Sequence, residues 1–438
     1  MFHFDRDFVD KNGERLMLPI RVRSTLRILE SQYMLRDVRR TGDYDFFIGD
    51  IPYDELDQNA MWEPFTAGRS IWGEPDQWAW FRQTVVIPDS YKGQDVWYQL
   101  NAHTTSDGAW HWGHPQAQLF VNGECVFGFD CNHRRFLLAK HAKGEEKFEI
   151  AIKAYSDLTY FSGPMTLSAD LIVIRPDVYE LYQSMIVPLK AAALMNSDSM
   201  ERIEIVKALN HAVTLIDTGA DPDSEAFSSS VTEAHEYLKS HLYASLHSGA
   251  EPMLWAIGHT HIDVAWQWTY HVSRNKAARS FATNIRLLKE NPDYLFMSSQ
   301  PVLFEFVKQD QPALYSKIKQ AVADGRWEPE GGMYVEADTN LTGGESLVRQ
   351  FMEGKRFFRE EFGADSKILW LPDVFGYSAN LPQICVKSGI PYFYTTKIGW
   401  NEYTKLPYDT FRWRVLTGAA CSRISAARSP MQILKRIG

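Results

Sequence analysis

Hydrophobic residues change their period twice along this 438-residue chain, so no single sheet or helix bundle can hold all of it. Residues 1–177 alternate in short runs. FRQTVVI (81–87), DVWYQLNA (95–102), AQLFVNGECVFGF (117–129), KFEIAIKAY (147–155) and ADLIVIR (169–175) are β-branched or aromatic and are parted by turn residues. Period-two patterning predicts half-buried strands, and several together predict an antiparallel β-sandwich. Residues 178–250 shift to a period near 3.6, which predicts three amphipathic helices connecting their neighbours. Asp198 or Ser199 can cap the second helix. From 251 to 414 strand-like and helix-like segments alternate. That predicts a largely parallel sheet or a β/α-barrel-like layer with helices outside.

Composition narrows the function classes. The net charge of −9 argues against a broad basic surface for nucleic acid. No apolar run reaches the roughly 20 residues that span a bilayer. The polar start MFHFDRDFVDKNGERLMLPIRVR does not read as a signal peptide, so a cytoplasmic location is expected. Cys125, Cys131, Cys385 and Cys421 form neither a disulfide framework nor a CxxC metal pair. Aromatic content is 13%, with 14 Trp. Trp62, Trp72, Trp78, Trp80, Trp97, Trp110 and Trp112 fall in the β region. They are either sugar-binding platforms or core and interdomain packing.

In β/α layers ligands bind at the carboxyl ends of strands, so polar strand ends are the place to look. The strand MLWAIGH runs into Thr260-His261-Ile262-Asp263. In an extended chain His259, His261 and Asp263 point to one side. Imidazole nitrogen and carboxylate oxygen together suit zinc. Asp373 follows the strand KILWL and can serve as metal ligand, base, nucleophile or helix cap, although Ser378 or Asn380 could cap instead. Glu330, Glu336, Asp338 and Lys397 are further strand-end candidates. Gly331-Gly332 marks a tight turn or a close backbone approach.

Four segments, GHTHIDVAWQW, GGMYVEADTNLTGGESLVRQ, WLPDVFGYSANLPQ and YFYTTKIGWN, together resemble the catalytic domain of glycoside hydrolase family 38, the class II α-mannosidases. The N-terminal β region and the connector resemble the bacterial and cytosolic branch. The resemblance implies a retaining exo-α-mannosidase that uses one zinc ion to remove terminal mannose from oligosaccharides or glycosides. By motif position it makes His261, Asp263 and Asp373 the metal ligands, and Asp373 also the nucleophile. Trp266 would lie under the sugar ring, Phe375 would line the pocket, Lys397 would stand near the nucleophile, and His259 would support the ligands from behind. A mannose-containing oligosaccharide is the partner implied; nucleic acid and membrane are not, and a homo-oligomer is left open.

The family places another zinc-binding histidine and an acid aspartate well beyond the nucleophile. Here no histidine follows His271, and Glu402 and Asp409 are the acids after Asp373. The domain 251–414 therefore reads as an incomplete catalytic domain, and weak or absent hydrolysis is expected. Residues 415–438 carry four basic, no acidic and no aromatic residues and read as an aberrant tail outside the fold, as a frameshift would produce. Two other functions remain open. One is a non-catalytic carbohydrate-binding remnant. The other is a metal-dependent amidohydrolase or deacetylase, which would need more histidines on later strands.

Overall fold

The computed structural model describes residues 20–104, 115–158, 163–196, 198–244, 256–400, 403–404, 407–408, 410–414 and 420–426. Trp110, Trp112, Glu402, Asp409 and most of 415–438 lie outside the described residues.

Two antiparallel sheets form the expected sandwich. One orders Leu35–Arg40, Met165–Ile174, Val96–Thr104 and Arg135–Ala139, with Ile71–Trp72 beside the start of Met165–Ile174. The other orders Glu63–Phe65, Tyr44–Ile48, Trp78–Val86, Lys147–Tyr155, Gln116–Val121 and Glu124–Phe129. Alternation places Val96, Tyr98, Leu100 and Ala102 in the core between them. Asn122 and Gly123 close the last hairpin with φ of +49° and +87°, the left-handed pair that a two-residue turn needs. The second sheet is partly covered on its outer face as well, because Trp80, Phe120 and Ala151 join the core of the α/β unit. Trp72 and Trp80 are buried, so they pack rather than offer sugar platforms.

The sequence expectation of β structure from residue 1 fails at Ile20–Ile28, a helix that continues as a π-turn over Leu29–Tyr33. Val22, Leu26, Leu29 and Tyr33 recur at helical spacing and join the core of the connector, not the sandwich. The connector's helices are Pro176–Leu194, Met200–Leu215 and Glu225–Leu238. Ser199, not Asp198, caps the second helix, accepting from the Arg202 N–H at 3.3 Å.

In the α/β unit Gly258–His259, Phe296–Ser298 and Trp327–Pro329 run parallel. Ile368–Trp370, Tyr392–Thr395 and Ala420–Ala426 form a second parallel set, and Thr410–Arg414 adds an antiparallel edge. A single parallel bridge, Gly331 to Leu369, joins the two sets. Helices Tyr270–Glu290, Gly344–Phe362 and Leu381–Lys387 alternate with these strands, as the sequence pattern predicts. The run 301–325 has the apolar spacing of one continuous helix but forms two: Pro301–Asp310 and Pro312–Ala323. Pro312 has no N–H to donate and forces Gln311 out of the helical region, so the helix restarts there. Residues 420–426, expected to lie outside the fold, are paired on both sides. A count of acids and aromatics does not reveal that ACSRISA has the backbone of a strand.

Candidate metal and glycosidase site

The site lies past the carboxyl ends of the parallel strands. His261 and Asp263 follow Gly258–His259, Glu336 follows Trp327–Pro329, Asp373 follows Ile368–Trp370, and Lys397 follows Tyr392–Thr395. Three donor atoms, one each from His261, Asp263 and Asp373, fall within 4.8 Å of one another. The His261 Nε2 atom is 3.1 Å from Asp263 Oδ1 and 3.8 Å from Asp373 Oδ2. Ligand atoms of a tetrahedral zinc stand about 3.4 Å apart, given bond lengths of about 2.1 Å.

The other face of His261 is fixed by a buried acid. Glu336 Oε2 lies 3.2 Å from His261 Nδ1, and its side chain is 5% exposed. The two atoms meet as an ion pair, and neither makes a hydrogen bond among the described residues. A carboxylate behind a histidine favours the tautomer that leaves the far nitrogen for a metal. Glu336 is held in turn by the Ser299 hydroxyl, which donates to Oε1 at 2.8 Å, and its N–H donates to Gln300 Oε1 at 3.1 Å. Burial disfavours a charged His261, yet Asp263 and Glu336 outweigh it and push the imidazole up to about 10. So much negative charge around one imidazole is the environment in which a divalent cation replaces a proton. The donor set and spacing thus fit zinc, with His261, Asp263 and Asp373 to hold it.

Lys397 is buried, not a surface lysine. Its side chain is 7% exposed and its Nζ lies 2.6 Å from Asp373 Oδ1. The ammonium also lies 4.3 Å from the Phe375 ring centre and 3.3 Å from that of Trp400. Asp373 is thereby oriented: one oxygen meets the lysine while the other faces His261. Its loop is tied down by Thr396 Oγ1, which donates to Pro372 O at 2.6 Å, and by Thr339 Oγ1, which donates to Gly376 O at 3.2 Å. Trp266, Phe375 and Trp400 present open rings at 59%, 73% and 67% exposure. Trp400 was missed in the sequence, although it stands three residues after Lys397 in the same motif.

The remaining candidates do other work. His259 packs against Trp370 at 5.1 Å between ring centres, outside the ligand cluster. Burial and the neighbouring His261 push it down to about 4. Glu330 accepts N–H groups from Gly331, Lys367 and Ile368 at 2.9, 3.1 and 3.3 Å, and so stitches the two strand sets together. Asp338 is exposed and accepts from the N–H groups of Asn340 and Leu341 at 2.8 and 2.9 Å, a local turn. Asn380 stands at the N-cap of Leu381–Lys387 without a side-chain cap bond, and the Ser378 backbone oxygen accepts from the Leu381 N–H at 3.0 Å.

The profile described as "Glycosyl hydrolases family 38 N-terminal domain" matches residues 252–430. Residues 252–430 form a glycosyl hydrolase family 38 N-terminal domain. The family 38 match crosses residue 414 and takes in the strand Ala420–Ala426. Alpha-mannosidase 2C1 of Homo sapiens is 33% identical over 382 residues, which is 84% of this chain and 35% of that protein. Alpha-mannosidase G of Dictyostelium discoideum is 29% identical over 359 residues, 78% of this chain and 31% of that one. Alpha-mannosidase of Saccharomyces cerevisiae is 34% identical over 262 residues, 57% and 24% of the two chains. The chain spans about a third of the length of the first two relatives. No helix among the described residues is long and apolar enough to cross a membrane.

Proposed function

We propose that this chain carries the zinc-binding, nucleophile-bearing part of a retaining exo-α-mannosidase that acts on terminal mannose of oligosaccharides or glycosides. The observation that carries the reading is the divided environment of Asp373. Its Oδ1 pairs with Lys397 at 2.6 Å while its Oδ2 faces His261 at 3.8 Å. A carboxylate held this way can present an oxygen to an anomeric carbon in one orientation, which is what a covalent retaining mechanism requires. The exposed rings of Trp266 and Phe375 offer apolar faces for the C–H side of a sugar. A bound zinc would supply Lewis-acid attachment of sugar hydroxyls and offset ring distortion. Glu336 keeps His261 aimed, and Lys397 keeps Asp373 from rotating. The parallel run of strands fits an arc of a β/α barrel with this site at its mouth.

No histidine follows His271 in this chain, and the acids after Asp373 are Glu402 and Asp409. Zinc and mannoside binding with slow hydrolysis is therefore the expected behaviour of these 438 residues. The test is zinc content together with turnover of an aryl α-mannoside by the wild type and Asp373→Ala. Stoichiometric zinc and a slow turnover that Asp373→Ala reduces to background support the reading. Wild type that takes up no zinc, or equal turnover by Asp373→Ala, sinks it. The family match does not favour the binding-only and amidohydrolase alternatives.

A further inference from the structure

The sandwich touches the helix that follows the metal loop through polar groups largely removed from solvent, and one of them is costly to desolvate. Lys276 lies on Tyr270–Glu290, two turns into the helix. Its ammonium donates to Gln116 Oε1 of the sandwich at 2.6 Å and sits 4.1 Å from the ring centre of Trp268. Among the described residues no carboxylate forms an ion pair with it. Arg279 donates to the same Gln116 oxygen. Burial, and then the charge of Arg279, pushes Lys276 down to about 7. A chain selected for stability alone would place an apolar residue here.

What Lys276 holds leads to the site. The indole of Trp268, under the ammonium, donates through Nε1 to Ser273 Oγ at 3.0 Å. Ser273 is fully buried, and its hydroxyl donates to the backbone oxygen of Asp263 at 2.8 Å. Trp268 also meets Trp266 edge to face, with ring centres 5.5 Å apart. Nearby, the Gly128 N–H of the sandwich donates to Thr283 Oγ1 at 3.0 Å, and a Cβ on Gly128 would come within 2.8 Å of Arg279 Cβ. The helix is therefore seated on the sandwich without room to shift, and the path Gln116, Lys276, Trp268, Ser273, Asp263 is continuous.

We propose that Lys276 is a positioning residue through which the N-terminal sandwich sets the metal ligand Asp263 and the ring of Trp266. The sandwich is then part of the site's support, not a separate sugar-binding module. This rests on the ligand role of Asp263 for its metal readout alone.

The test uses the full chain as wild type, Lys276→Met, Gln116→Leu and the double variant. Hydrogen exchange of the 256–269 peptide is measured by mass spectrometry, and zinc affinity by chelator competition. Both single variants are expected to exchange about threefold or more faster in 256–269 and to bind zinc correspondingly weaker. The double variant should go no further, because the two residues form one link. The melting temperature should hold or rise, since a cation that is costly to desolvate has gone, and Lys276→Arg should restore slow exchange. Unchanged exchange in 256–269, or exchange raised evenly along the chain with a lower melting temperature, overturns the proposal. If wild type binds no zinc, the reading of the site fails while the exchange data still decide the coupling.

Discussion

At the scale of single residues the site is a set of charges each given one job by its neighbours. Glu336 has its Oε2 against His261 Nδ1 and touches no other described polar atom with it. Glu336→Ala should therefore weaken zinc binding by about 10–100-fold with the ligands themselves intact. Zinc affinity by chelator competition measures this, and an unchanged value would show that Glu336 does not orient His261. Much of this level was legible in the sequence. His261, Asp263, Asp373 and Lys397 stand past strand ends, and folding brings those ends together, whereas His259, expected on the same side as His261 and Asp263, packs against Trp370 instead. Glu336 and Asp338 share the same alternation, yet only Glu336 faces the site, because the chain turns at Asp338 through its own side chain. Such a turn depends on which oxygen finds which N–H, and spacing does not carry that. Trp400 was invisible for another reason: an exposed indole after a lysine looks like any surface pair until Lys397 is seen folded beneath it.

At the scale of elements, period and punctuation predicted nearly every strand and helix, and the failures share a cause. Ile20–Ile28 is helical because its apolar stripe matches the distant connector, and 301–323 is broken by one proline. Each is a local rule read in the wrong context or passed over. Helix–strand contact adds what no pattern contains. Gly354 lies within Gly344–Phe362, where alanine would ordinarily gain about 1 kcal/mol over glycine. Here an added Cβ would meet Gly332 O at 2.5 Å and Tyr334 N at 2.7 Å, both backbone atoms. Gly354→Ala should thus destabilise by about 1–3 kcal/mol, the reverse of the helical trend. Urea unfolding would read the sign directly, and a stabilised variant would mean the helix can move away from the 332–334 turn.

At the scale of the whole molecule, the sandwich and the α/β unit share one core, in which Trp80 and Phe120 meet Ala277 and Phe281. The partly buried Lys276 makes their union sensitive to pH. Its folded value of about 7 lies below the ordinary 10.5. Between those values the unfolded chain keeps a proton that the folded chain has released, so this group makes stability rise with pH, and its cost is greatest below 7. Lys276→Met should flatten the rise of melting temperature between pH 7 and 10; an identical slope in both proteins would refute it. The two strand sets meet at one bridge, Gly331 to Leu369, which Glu330 clasps from below. His261 and Asp263 ride on one set, and Asp373 and Lys397 on the other. An ion held by His261, Asp263 and Asp373 would then rivet the thinnest join of the sheet, and its escape would require the join to gape. How long the ion dwells becomes a clock for the breathing of the backbone. Glu330→Ala, which subtracts no ligand, should make that clock run faster, and an unchanged zinc off-rate would show that the join does not govern release.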